Sequence, residues 1–295
     1  MGDLGTTGQR TQKERTTNMD ALLEAYRTTD ALALGLLACA LLAVWCWVAS
    51  VVTGNYSQVD RLWSILPVLY TLHFAVHGGF ADARLVLMTT LVVLWGTRLT
   101  YNFARKGGYR AGGEDYRWPV LQARLSPVGF QLMNATFVAP LQNLLLLLLA
   151  VPAYRAAEIG THRLGPLDWV ATLAFLVFLV GETVADQQQW RFQCDKLARR
   201  ERGEAQGDGF LASGLFRYSR HPNFFCEQGM WWAFYLFVVS VTGRWLDWSI
   251  AGATLLTLVF QGSTVLTERI TRGKYPAYAD YQRRTSQLLP RPPRF

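Results

Sequence analysis

The sequence predicts an all-α, polytopic membrane protein of about seven transmembrane helices, and three observations predict it. Of the 295 residues, 51% are hydrophobic, and they are gathered into blocks rather than spread at helix or strand period. Several blocks approach the roughly 20 residues needed to cross a bilayer. Lysine and arginine are concentrated in the short stretches between blocks, the pattern of loops that flank membrane spans.

Within hydrocarbon every backbone N–H and C=O must be satisfied inside its own segment, so each block reads as a helix. The first, Ala31 to Thr53, serves as its own insertion signal. Residues 1–30, rich in Gly, Thr, Gln and charge, read as a disordered or weakly helical lead with no signal-peptide pattern. Leu62 to Val76 and Leu85 to Tyr101 are the shortest spans; Leu132 to Tyr154, Leu167 to Ala185, Phe224 to Val241 and Ile250 to Leu266 complete the set. No repeat or low-complexity tract stands out, so residues 31–295 read as one membrane-embedded domain.

The basic residues then orient the chain. Arg105, Lys106, Arg110, Arg117 and Arg124 follow the third span, Arg191, Lys196, Arg199, Arg200, Arg202, Arg217 and Arg220 follow the fifth, and the tail carries Arg269, Arg272, Lys274, Arg283, Arg284, Arg291 and Arg294. With seven spans all three groups share one face, predicting a cytosolic C-terminus and a lumenal or exterior N-terminus, with the endoplasmic reticulum as the expected membrane in a eukaryote. The net charge of +8 is therefore no nucleic-acid signal, since it lies beside spans, where it faces anionic lipid heads or an anionic cofactor. Cys39, Cys46, Cys194 and Cys226 have neither metal spacing nor a disulfide framework, so no metal is expected and each reads as a small hydrophobe. Asn55-Tyr56-Ser57 matches a glycosylation sequon, but this topology places it in the cytosol.

Two stretches carry the chemistry. In GETVADQQQWRFQ, at the end of the fifth span, helical spacing sets Glu182, Asp186, Gln189 and Gln193 on one polar face. An acid at the end of a span is costly to bury and is read as functional by default; pairing with headgroup-level arginines is the plain alternative. The stretch KLARRERGEAQGDG continues as a surface helix ending in a Gly-rich turn. That turn leads into GLFRYSRHPNFFCEQ, residues 214–228, where Gly209 and Gly214 allow close backbone approach, Arg217 and Arg220 are phosphate donors, and Pro222 sets the start of the sixth span. Asn223 offers a donor and an acceptor suited to an amide-bearing ring such as nicotinamide, and Glu227 lies one turn deeper on the same face. His221, before proline at a helix start, reads equally as a cap or as a reactive group.

These strings, with the earlier DRLWSILP and the closing ADYQRRTSQLLPRPPRF, resemble the steroid 5-alpha-reductase-like family, in particular its poorly characterised membrane branch, over about Asp60 to Phe295. The RHPN string by itself also resembles isoprenylcysteine and phospholipid methyltransferases. The resemblance implies a seven-helix fold with NADPH held between the later helices and the cytosolic loops. The implied cofactor contacts fall on Asp186, on Asn223 and Glu227, and near Arg272 and Tyr275 or Tyr278 in the tail; Glu182 stands where steroid reductases often show an asparagine, and Arg191, Tyr218, Arg220 and His221 complete the candidate cofactor-binding set. Where steroid reductases polarise the ketone with a glutamate and a tyrosine, this sequence has Ile65 and Trp95, which argues against a steroid enone as substrate. Tyr70, His73 and Tyr101 are the nearby candidates for that catalytic role, with interface anchoring as the alternative.

The expected function is an NADPH-dependent reductase of a double bond in a lipid-like substrate, with membrane lipids around it and no nucleic-acid or protein partner. The alternatives are an S-adenosylmethionine-dependent lipid or prenyl-protein methyltransferase, in which the motif arginine and histidine hold the cofactor carboxylate, and a non-catalytic scaffold that kept the fold.

Overall fold

A computed structural model describes residues 20–294 except positions 22, 23, 27, 81, 161, 162, 205 and 206. Most of the expected N-terminal lead, including Arg10, Lys13, Arg15 and Arg27, lies outside the described residues. The described chain is helical, and its one β-type contact is an isolated parallel bridge between Ser219 and Ser286.

The elements are α1 (Ala31–Thr53), α2 (Gln58–Leu62), α3 (Leu66–His77), α4 (Ala83–Arg105), α5 (Arg117–Gln122), α6 (Pro127–Met133), α7 (Ala139–Ile159), α8 (Pro166–Glu201), α9 (Pro222–Thr242), α10 (Ala251–Lys274) and α11 (Tyr278–Arg284). A π turn, Asn134–Val138, joins α6 to α7, making a continuous helical run from Pro127 to Ile159. Six helical segments among the described residues are long and apolar enough to cross a membrane.

Contacts at the two ends of the bundle fix the direction of each helix. The carbonyl of Ala31, where α1 begins, lies 2.9 Å from His73 Nε2 near the end of α3. At the other end, Asn55 Nδ2 donates to the Gly113 carbonyl and Ser57 Oγ accepts from the Asp115 N–H. The chain therefore returns across the bundle through α2 and α3 in series, and this broken pass makes the seventh crossing. At the end where α1 begins, Arg84 at the start of α4 forms a bidentate pair with Asp168 at the start of α8, at 2.8 and 2.9 Å, and Arg155 pairs with Asp247 between α7 and α10. The three basic groups of the sequence all lie at the opposite end.

Helix α1 is apolar all round and faces outward, as does most of α10, whereas α7 and α9 are mostly enclosed. Trp231, Phe234 and Phe237 of α9 meet Phe175 of α8 and Trp95 of α4 in the common core. Close approach is what binds helices where lipid supplies no hydrophobic drive. At Gly252 a Cβ would sit 2.3 Å from the Leu148 carbonyl oxygen, so glycine lets α10 press on α7.

The fifth span differs from the sequence reading. Its apolar block and the surface helix expected after it are a single 36-residue helix, with no breaker between Ala185 and Glu201. At about 1.5 Å per residue it is roughly 54 Å long, well beyond a hydrocarbon core of about 30 Å, so its basic C-terminal third projects past the bundle.

Candidate functional site

One cavity of about 680 Å³ penetrates the bundle from its basic end. Its polar floor is built by three helices. Helix α8 contributes Glu182 and Asp186, one turn apart, α9 contributes Asn223 and Glu227, also one turn apart, and α4 contributes Asn102. The DRLWSILP segment supplies Asp60, Trp63 and Ser64 to the wall, and Lys106 and Arg117 stand toward the basic face. The remaining walls are apolar, among them Leu141, Leu255 and Val259.

Arg98 of α4 holds the acidic floor together. Its guanidinium is 2.8 Å from Glu182, 2.7 Å from Asp186 and 3.7 Å from Glu227. Asn102 donates to Asp186 at 2.7 Å, and Arg105 fastens Asn102 from behind at 2.9 Å while reaching Gln187 at 2.8 Å. Glu227 accepts from Trp95 Nε1 on both oxygens, at 3.1 and 3.0 Å, and from Trp231 Nε1 at 2.9 Å. Glu182 is different: its Oε2 is buried with no hydrogen-bond partner. Such an atom is costly to leave unpaired, which marks the place where a ligand donor fits.

Of the residues singled out in the sequence, Glu182, Asp186, Asn223 and Glu227 come together here. The rest of the motif is spent on the tail. Arg220 donates to Glu268 of α10 at 2.6 and 3.0 Å and to the carbonyls of Gln282 and Thr285; His221 Nε2 lies 3.0 Å from the same carboxylate. The N–H groups of Arg220 and His221 donate to the carbonyls of Ser286 and Gln287. Gly214, with φ +62°, carries the turn into this clamp beside Gln188, whose Oε1 accepts from the Leu215 N–H.

The other expected contacts are dispersed. Tyr218 is half exposed; its backbone N–H donates to the Leu215 carbonyl and its own carbonyl accepts from Arg291 N. Tyr275 receives a 2.7 Å bond from Lys196 Nζ, an ammonium partner that holds its phenol below the ordinary tyrosine range. Tyr278 is buried edge-on against Phe210. Arg191 and Arg272 are exposed.

None of the three catalytic candidates lines the cavity. Tyr70 is buried between α3 and its neighbours, His73 lies at the far end bonded to Tyr26 Oη at 2.6 Å, and Tyr101 points outward with Arg105 over its ring. Trp95 is buried and donates its Nε1 to Glu227. Ile65 is 36% exposed and lies outside the cavity lining.

Arg98 and Asn102 were not singled out in the sequence and Arg105 was read only as a loop cation, although the three recur at helical spacing along α4 and an arginine in an apolar run is a flag in itself.

Comparison with known proteins gives a family and one curated relative. Residues 46–285 match a family described as a protein of unknown function, DUF1295. An uncharacterized protein of Schizosaccharomyces pombe is 42% identical over 287 residues, covering 90% of this chain and 81% of the relative. No solved structure matches.

Proposed function

The chain belongs to the DUF1295 family, and from the chemistry of its cavity we propose that it is a membrane-embedded, NADPH-dependent reductase of a double bond in a lipid-like substrate. One observation carries this reading: the buried Glu182, Asp186 and Glu227, with the part-buried Asn223, close one end of a cavity whose other walls are mostly apolar. A carboxamide-bearing ring fits that floor, because Asn223 offers a donor and an acceptor and the carboxylates lining it accept from an amide. When bound, the nicotinamide supplies the hydride.

The chain's own residues hold and orient. Arg98 keeps the carboxylates in place, and the apolar walls exclude water from the reacting end. One guanidinium faces three carboxylates, so a proton shared among them lowers the charge of the cluster. Glu182, which lines the cavity and lies against the other carboxylates, is the member assigned to pass that proton to the substrate. On the basic face the exposed Arg191, Arg199, Arg200 and Arg272 are the groups left to meet phosphates, while Arg220 serves the tail. That commitment takes Arg220 and His221 away from either cofactor, and the acidic floor is what favours the reductase over the methyltransferase.

Thermal stabilisation of the detergent-purified protein by NADPH, NADH and S-adenosylmethionine side by side tests the reading, because a ligand selective for the folded state raises Tm. NADPH is expected to stabilise most. Asn223→Ala is expected to weaken NADPH binding by about 1–3 kcal/mol, roughly 5- to 150-fold in Kd, with the parent Tm retained. Phe225→Leu, against Phe178 on another face, is the control. Stabilisation by S-adenosylmethionine alone, or an unchanged NADPH affinity in Asn223→Ala, defeats the proposal.

We propose that the basic end faces the cytosol, with the endoplasmic reticulum as the membrane in a eukaryotic cell. Cys194 is exposed at that end on α8, while Cys39, Cys46 and Cys226 are buried. In sealed, right-side-out microsomes an impermeant maleimide is therefore expected to label Cys194 without permeabilisation, and labelling only after permeabilisation reverses the orientation.

A further inference from the structure

The cavity lies between the first turns of α7 and the middle of α10, helices that pack on one another nearer the other end of the bundle. They meet at Gly252 against Leu148. Toward the basic end α10 is tied to the start of α5, where Arg117 donates to Ser263 at 2.5 Å and Tyr116 to Thr267 at 3.4 Å. From Gly252 to Ser263 is about 16 Å of helix, or roughly one leaflet of a 30 Å hydrocarbon core.

Between those two closures the wall is open. Leu258 and Phe137 both line the cavity, yet they are 65% and 51% exposed, so the same side chains are inner wall and outer surface. Gly262 also lines the cavity, and a Cβ placed there meets nothing within 4 Å. Phe137 belongs to the π turn, which Asn134 Nδ2 pins to Ser50 Oγ of α1 at 2.8 Å. Turns of this kind are rare and are found most often at functional sites. The rim is apolar, so what stands before it in a membrane is acyl chain.

We propose that this gap between α7 and α10 is a lateral portal, through which a single-chain bilayer lipid with a small polar head slides into the cavity. The head reaches the Glu182–Asn223 floor, and the chain lies along Leu255, Leu258 and Val259. The Arg117–Ser263 bond closes the portal at the basic surface. A single chain is what the space admits, because the cavity is of small-ligand size and holds the polar floor as well. The portal rests on the proposed reductase reading only for what happens at that floor.

The test uses the full chain in lipid nanodiscs containing a long-chain fatty alcohol with a diazirine in its chain, irradiated without nucleotide and mapped by mass spectrometry. Adducts are expected on Leu255 and Val259 inside the portal and on outward residues such as Val52 of α1. Gly262→Trp, which adds bulk where nothing stands in its way, is expected to cut the interior adducts several-fold and leave those on Val52 unchanged. Leu258→Trp at the exposed rim should do the same, and covers the case in which the glycine variant fails to fold. Interior adducts that are absent from the parent, or that persist in a folded tryptophan variant, overturn the portal. NADPH stabilisation measured on the same samples separates the two proposals: its absence beside Gly262-dependent labelling sinks the reductase and leaves the portal standing.

Discussion

Arg98→Ala is expected to destabilise the folded protein by about 3–5 kcal/mol, the cost of removing one partner from a buried ionic cluster, and to leave little of it recoverable in mild detergent. The guanidinium is the one group that touches Glu182, Asp186 and Glu227 together, and all three are buried. Without it, Trp95, Trp231 and Asn102 still donate to the cluster, but three like charges are left crowded in a low-dielectric site. The double variant Arg98→Ala, Glu182→Gln should recover part of the loss, because one carboxylate is gone. Thermal melts of the three proteins decide it: a parent-like Tm in Arg98→Ala shows that the cluster is not held by charge pairing.

Glu268→Ala carries the second large effect, about 3–5 kcal/mol by the same reasoning, and it should appear first in the C-terminal tail. One carboxylate accepts from Arg220, His221 and Gln282, and so joins α10, the start of α9 and α11. Its loss leaves the Arg220 guanidinium buried with carbonyl partners alone. Hydrogen exchange is the sensitive readout, since the amides of Arg220 and His221 are bonded to the carbonyls of Ser286 and Gln287 and should lose protection together. Glu268→Gln, which keeps the shape and gives up the charge, should fall between. Unchanged protection in the alanine variant means that the backbone pairing holds the tail unaided.

The sequence was most legible where a single physical rule decides. Uninterrupted apolar length located α1 to the residue and α9 to within two at each end, since nothing but a helix can cross lipid. It was least legible in the second span, where Leu66–His77 is too short to cross alone and needs α2 to complete the pass. The site was half readable. Glu182 with Asp186 and Asn223 with Glu227 are local pairs one turn apart, and local spacing reveals them. Arg98 completes the site across a separation of more than eighty residues, which no window on the sequence spans. Arg220 and His221 show the converse: side chains suited to a phosphate or a carboxylate were met by Glu268 of the protein itself.

Helix α8 sets Asp168 against Arg84 at one end of the bundle, Glu182 and Asp186 against Arg98 within it, and Lys196 against Tyr275 beyond it. Because these stations share one unbroken rod, they also share one angular phase, in which each residue advances the helix by about 100°. A side chain at any station can be exchanged on its own, but a single residue added or removed between Asp168 and Glu182 rotates everything after it by more than a quarter turn. The rod therefore tolerates substitution and forbids changes of length, and the distance from the outer ion pair to the cavity floor is a fixed register of fourteen residues.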